Sequence, residues 1–346
     1  MRRKKWLPYL LLFVLSVFIF TGCNSVEQGS SMVDSDGNLK IHFIDVDQGD
    51  ATLIQCNQKT LLIDAGENDM GERVVSYLDS IGIKKLDYVI GTHPHSDHIG
   101  GLDTVIDQFE IGKVIMPKVE HSTKTYEDVL IAVRDKGLKI TKPVVGEQYE
   151  FGDGSFQIIA PNSETYSDLN AYSVGIRLVY GNTSYVFAGD AETVSEEEMC
   201  NNGLDLSADV LKVNHHASRY SNSNQFLDAV SPKYAVVSCG KDNSYGHPHQ
   251  EVLEALKKRK VSVYRTDLNG TIVMTSDGHN IQVETKASFD SSMNSNSSQK
   301  EEKVYVTSSG TKYHKKGCSY LKGQEKQLTI KEAKEQGYEA CGRCYH

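Results

Sequence analysis

The stretch THPHSDHIGG (92–101) places three histidines and an aspartate within the six positions His93 to His98. The whole 346-residue chain has only twelve histidines, so this is a concentration of one kind of chemistry. His93 and His95 are two residues apart and face the same way in extended backbone; Asp97 and His98 follow at the entry to a helix. Neutral imidazole and carboxylate are the ligands that borderline divalent metals take, and crowding them without a cation would bury polar groups at high cost. A divalent metal held by three or four protein ligands with one position open lowers the pKa of its water toward ~7, which is hydrolytic chemistry. Other residues of suitable type end apolar runs: Asp64 in TLLIDAG, Asp190 in TSYVFAGD, and the pair His215–His216 in DVLKVNHH. Each aspartate alone reads equally well as a strand-end turn residue. Adjacent residues leaving a strand point apart, so one of the two histidines should ligate and the other face a substrate. His247, in YGHPH, either stabilises developing charge or braces its loop.

These residues need a scaffold, and the apolar runs supply one. Segments 40–46, 51–56, 60–66, 86–92, 173–181, 183–190, 209–216 and 234–240 read as strands, and 71–82, 100–109, 224–230 and 250–259 as helices. The expected class is α/β. Spacing alone does not choose between two helix-covered sheets and one doubly wound sheet.

The H-x-H-x-D-H loop resembles the signature of the metallo-β-lactamase superfamily, which implies an αββα sandwich. The resemblance implies that His93 and His95 serve one divalent metal, that Asp97 and His98 serve a second, that Asp190 bridges both, and that Asp64 braces the site. HFIDVDQGDATLI (42–54), NAYSVGIRLVYG (170–181), LKVNHHAS (211–218) and YGHPHQEVLEAL (245–256) further resemble the extracytoplasmic hydrolase domain of ComEC-type competence DNA-uptake proteins. Asp47 and Ala217 stand where that family usually has glycine, and Asn170 and Ser173 lie where many superfamily members place a further histidine. The first metal would then have three protein ligands, which admits manganese as well as zinc. Related phosphodiesterases of this fold suggest His216 as the ligand and His215 as the phosphate contact. Asp97 would orient the nucleophile as well as ligate. The implied substrate is DNA or another phosphodiester; choline-teichoic acid esters, lactones and a non-catalytic DNA-binding or uptake accessory are the alternatives. The multi-helix membrane channel of the full transporters is absent, so transport is not carried over.

The ends carry their own signals. Residues 1–22 have a basic start followed by an apolar run, the build of a secretory signal. It ends in FTGC, which resembles a lipobox and implies lipid attachment at Cys23 and an extracytoplasmic lipoprotein; an uncleaved anchor helix is the alternative. Losing Arg2, Arg3, Lys4 and Lys5 with that segment takes the formal net charge from −9 to −13, which excludes a generally basic nucleic-acid-binding surface. Residues 23–38 are a polar tether, 39–287 the hydrolase domain, and 288–302 a Ser/Asn-rich linker. In 303–346, His314, Cys318, Cys341 and Cys344 make the donor set of a closed structural zinc site, with a disulfide among the cysteines as the alternative. So short a module has little core and needs such a staple.

Overall fold

A computed structural model describes residues 38–285 and, in the C-terminal part, 303–307, 310–316, 318, 321 and 325–341. The signal segment with Cys23, the tether up to residue 37, the linker and Cys344 lie outside the described residues.

Two mixed sheets form the centre. The first runs β15 (Ile281–Thr285), β14 (Ile272–Ser276), β1 (Leu39–Phe43), β2 (Thr52–Cys56), β3 (Lys59–Ile63), β4 (Lys85–Ile90), β5 (Glu110–Ile115), β6 (Ile140–Thr141). The second runs β13 (Ser262–Arg265), β12 (Tyr234–Val237), β11 (Val210–Lys212), β10 (Thr183–Phe187), β9 (Gly175–Tyr180), β8 (Gly154–Ala160), β7 (Gln148–Phe151). Strands β3 to β6 are mutually parallel, as are β10 to β13.

Alternation along the strands sorts the apolar side chains into three layers. Phe43, Ile54 and Leu61 of the first sheet meet Phe156, Leu178 and Tyr185 of the second in one core between the sheets. Leu53, Leu62 and Val89 face the other way, against α1 (Gly71–Ser80), α3 (Leu102–Gln108) and α4 (Lys124–Asp135). Val186, Leu211 and Val237 face α5 (Thr193–Asn201), α6 (Asn224–Val230) and α7 (Gln250–Lys258). Helices on both outer faces of two packed sheets are the αββα sandwich. Each fully buried side chain of this size contributes about 1.5–3 kcal/mol.

The site-bearing strands end earlier than their apolar runs suggest. β3 stops at Ile63, β4 at Ile90, β10 at Phe187, β11 at Lys212 and β12 at Val237, each two to four residues short of the sequence reading. Apolar residues such as Ala65, Ala188 and Val213 continue the pattern into loops that are themselves buried, so periodicity cannot locate the strand end. Those loops leave the carboxyl ends of parallel strands, where ligand sites of α/β sheets form. In the C-terminal part, β16 (Lys303–Thr307) pairs with β18 (Glu325–Thr329), and β17 (Lys312–Tyr313) pairs with β19 (Glu339–Ala340).

Candidate metal centre

The loop after β4 turns into the short helix α2 (Ser96–Ile99), for which His95 is the N-cap. Its backbone is gripped by the loop after β1. The Asp50 N–H donates to the Asp97 carbonyl (3.0 Å), and Gly49, at φ +138°, passes so close that a Cβ would lie 2.4 Å from that oxygen. Only glycine fits there.

Asp64 is fully buried and accepts three hydrogen bonds: from the Thr92 N–H (2.8 Å), the Thr92 hydroxyl (2.7 Å) and His98 Nδ1 (2.9 Å). His216 Nδ1 donates in the same manner to the Ser238 carbonyl (2.8 Å). With both Nδ1 protons assigned, each ring turns Nε2 inward. His98 Nε2 lies 3.2 Å from Asp190 Oδ1 and 3.9 Å from Asp97 Oδ2; His216 Nε2 lies 3.3 Å from Asp97 Oδ2 and 3.6 Å from Asp190 Oδ2. One donor atom from each of these four residues lies within 4.8 Å of all the others. Ligands about 2.1 Å from a tetrahedral metal are about 3.4 Å apart, which is the spacing seen. His98 Nε2, His216 Nε2 and Asp190 Oδ1 are buried without a hydrogen-bond partner, a costly state unless a cation takes their lone pairs. The donor set therefore fits a divalent metal.

The electrostatics agree. Burial opposes charge on His98, yet Asp190 and Asp97 hold its pKa well above the ordinary value. Burial is likewise overcome at His216, which Asp190 and Asp50 push up to about 10. Burial would raise Asp190, but His98 and His216 hold it well below the usual carboxylate range. The carboxylates demand positive charge here; protons supply it without metal, and a divalent cation would displace them. His93 differs: burial and then the charge of His98 depress it well below its ordinary value.

His93 and His95 meet each other, Nε2 to Nδ1 at 3.0 Å, beside the four-donor group rather than in it. Ser173 accepts the Asp190 N–H (3.1 Å) and approaches His93 Nδ1 (3.4 Å), so it braces both. Asn170 donates to Glu192 (3.1 Å) while its Oδ1 is buried and unpartnered. A cleft of about 280 Å³ opens over this floor, walled by His95, His215, Tyr245 and His247. His247 is pushed down to about 4 by burial and by His216 and His215.

The histidine pair is not at a strand exit. β11 ends at Lys212, and His215, His216 and Ala217 all take left-handed backbone, φ 50°, 51° and 65°. This turn buries the His216 side chain to 1% while leaving that of His215 at 19%. Non-glycine residues pay about 1–2 kcal/mol each in this region. Ala217 and Asp47 (φ 61°) are both left-handed, the region that glycine, expected from the resemblance at these two positions, would enter without that cost.

Sequence reasoning missed Asp50 and Lys212. Lys212 Nζ reaches Asp50 Oδ2 (2.5 Å) and the Val213 carbonyl (3.1 Å), and both side chains are nearly inaccessible. Asp50 Oδ1 lies 3.4 Å from His216 Nδ1. The lysine in an otherwise apolar strand was the available signal. Glu196, fully buried, was also missed. It accepts from Asn214 Nδ2 and the N–H groups of Asn222 and Ser223 (2.8, 2.5 and 2.8 Å), bracing the turn from beneath.

In the C-terminal part, His314, Cys318 and Cys341 converge, with His314 Nδ1 3.4 Å from Cys318 Sγ. They suit zinc, which takes thiolate and imidazole.

Residues 44–241 match the family model described as the Metallo-beta-lactamase superfamily. Over 251 residues the chain is 33% identical to ComE operon protein 3 of Bacillus subtilis (strain 168), covering 67% of this chain and 32% of that protein. Over 230 residues it is 29% identical to Competence protein ComA of Neisseria gonorrhoeae, covering 66% and 31%. The chain thus spans about a third of the length of these curated relatives. A solved structure, the metallo-beta-lactamase fold protein YhfI of Bacillus subtilis, aligns at TM-score 0.46 and 15% identity, covering 69% of this chain and all of that one.

Proposed function

The chain belongs to the metallo-β-lactamase superfamily, and from that membership we propose that it is an extracytoplasmic, lipid-anchored, metal-dependent phosphodiesterase acting on DNA. The observation that carries the reading is the group formed by half-buried Asp97 with buried His98, Asp190 and His216, whose donor atoms face one another at metal-ligand spacing. We assign two divalent ions, zinc or manganese: one to His93, His95 and Asp190, the other to Asp97, His98, Asp190 and His216. Such ions, when bound, supply Lewis acidity that makes a nucleophile from water near neutral pH and compensates substrate charge.

The chain's own groups do the rest. Asp64 and the Ser238 carbonyl hold the two imidazoles in the tautomer that presents Nε2, the outer-shell role that metal-ligating histidines need. The Asp97 side chain, 20% exposed, orients the attacking water from the cleft floor. His215 contacts the phosphate, and His247 faces the leaving oxygen. An anionic phosphodiester suits this floor because its charge is met locally, even on an acidic protein. The choice of DNA rests on the likeness to proteins named for competence, and the lipid anchor rests on Cys23. His314, Cys318, Cys341 and Cys344 are assigned one structural zinc.

The test is a hydrolysis screen of the mature protein with zinc or manganese. DNA, RNA, bis-p-nitrophenyl phosphate and a lactone are compared. Metal-dependent cleavage of DNA and of the small phosphodiester is expected, and cleavage of the lactone alone would overturn the reading. Cys23→Ser should release the protein from membranes or leave its precursor uncleaved; processing and retention like the wild type would remove the lipoprotein assignment.

A further inference from the structure

Tyr245 is 62% exposed although it lines the cleft over the metal-ligand floor. An exposed aromatic ring on a loop is ordinarily free to swing, but this one is held. Asn243 builds the loop around it: its Oδ1 accepts the N–H groups of Tyr245 (3.2 Å) and His247 (3.0 Å), and its Nδ2 donates to the carbonyls of Gly240 (2.9 Å) and His247 (2.6 Å). The Tyr245 ring then stacks on His247, with centroids 5.7 Å apart and planes at 15°. His247 in turn stacks on His216, at 5.9 Å and 29°. Three roughly parallel rings thus lead from the buried donor group to solvent, and among the described residues no second ring stacks on Tyr245 besides His247. A hydrophobic contact within the fold would have buried Tyr245 rather than leave it 62% exposed. An exposed planar ring, stacked on a neighbour at the wall of the cleft, is a platform for another planar ring.

We propose that Tyr245 is the stacking platform for a nucleobase adjoining the phosphodiester on the cleft floor, which makes an unpaired strand the preferred substrate. The inference rests on the phosphodiesterase reading above and adds the feature that tells a nucleic acid from other phosphodiesters. Every base has a π-face, so such a platform is indifferent to sequence. Bases stacked within a duplex have no free face to offer, so the platform selects single strands or frayed ends.

The test uses the full mature chain and fluorescence anisotropy with three labelled DNA probes. These are a single-stranded oligonucleotide, its duplex, and the same single strand with abasic residues; a single-stranded RNA of the same sequence separates the two sources of bases. Tyr245→Leu keeps an apolar side chain but removes the ring, and Tyr245→Phe keeps the ring. We expect Tyr245→Leu to weaken single-strand binding about tenfold, the scale of one stacked base, and Tyr245→Phe to bind like the wild type. On the abasic strand the wild type should bind as weakly as Tyr245→Leu. Equal losses on base-bearing and abasic strands, unchanged affinity in Tyr245→Leu, or tighter binding of the duplex would overturn the platform while leaving the phosphodiesterase reading standing. If the wild type neither binds nor cleaves any of the oligonucleotides, the reading and the platform both fall.

Discussion

Lys212→Met gives the sharpest test of how the metal floor is supported. Lys212 sits at the end of the buried strand β11 with its side chain 3% exposed, and its ammonium lies 2.5 Å from an Asp50 carboxylate that is 6% exposed. Burial alone would raise the Asp50 pKa, but Lys212, followed by His216 and His98, brings it down to about 2. Methionine matches the length of the lysine stem and removes only the charge and its hydrogen bonds. Asp50 would then be a buried anion without its closest partner, a loss of about 3–5 kcal/mol when one member of a buried pair is removed. At about 2–4 °C per kcal/mol for a domain of this size, the melting temperature should fall by about 10 °C. The measurement is thermal unfolding of the chelated protein, so that metal binding does not mask the effect. The double variant Asp50→Asn/Lys212→Met should recover most of the loss, because it leaves no unpaired buried charge. A drop below about 2 °C, or a double variant no more stable than Lys212→Met alone, would refute the reasoning.

Asp190→Ala should abolish hydrolysis while leaving the fold largely intact, and near-wild-type turnover with metal still bound would remove the two-metal assignment. His216→Ala should lower metal content, whereas His215→Ala should lower turnover more than metal content; elemental analysis beside kinetics reads both, and the reverse pattern would swap their roles. Deleting residues 303–346 should remove one tightly held zinc and barely change cleavage of a small phosphodiester, while equal zinc in both proteins would defeat the structural site. His42 accepts from Tyr77 Oη and donates to Gln55 Oε1, both at 2.8 Å, and burial pushes its pKa down to about 4 from 6.5. Unfolding therefore takes up a proton between those values. Its contribution is complete above pH 6.5 and is lost as pH falls to about 4, about 3 kcal/mol in all. An imidazole titration by NMR with a midpoint near 6.5 would contradict it.

The kind of chemistry was legible in the sequence because it is local. Three histidines and an aspartate within six residues need no tertiary contact to show their purpose, and Asp64, Asp190 and the histidine pair each close an apolar run that reads as a strand. The layers were less legible. Alternating apolar residues show that a strand is half-buried but not which sheet it joins, and the sandwich was expected from the resemblance rather than from the runs. The supports of the site were not legible at all. Asp50 and Lys212 lie in separate segments and become partners only because the loop after β1 meets the end of β11. The Ser238 carbonyl that orients His216 is a backbone atom, invisible to any reading of side chains. The left-handed backbone at His215, His216 and Ala217 is written in no residue type, since none of the three is glycine. Packing imposes it by bringing the ends of parallel strands in both sheets to one edge, and that convergence alone turns separate ligand-type residues into a centre.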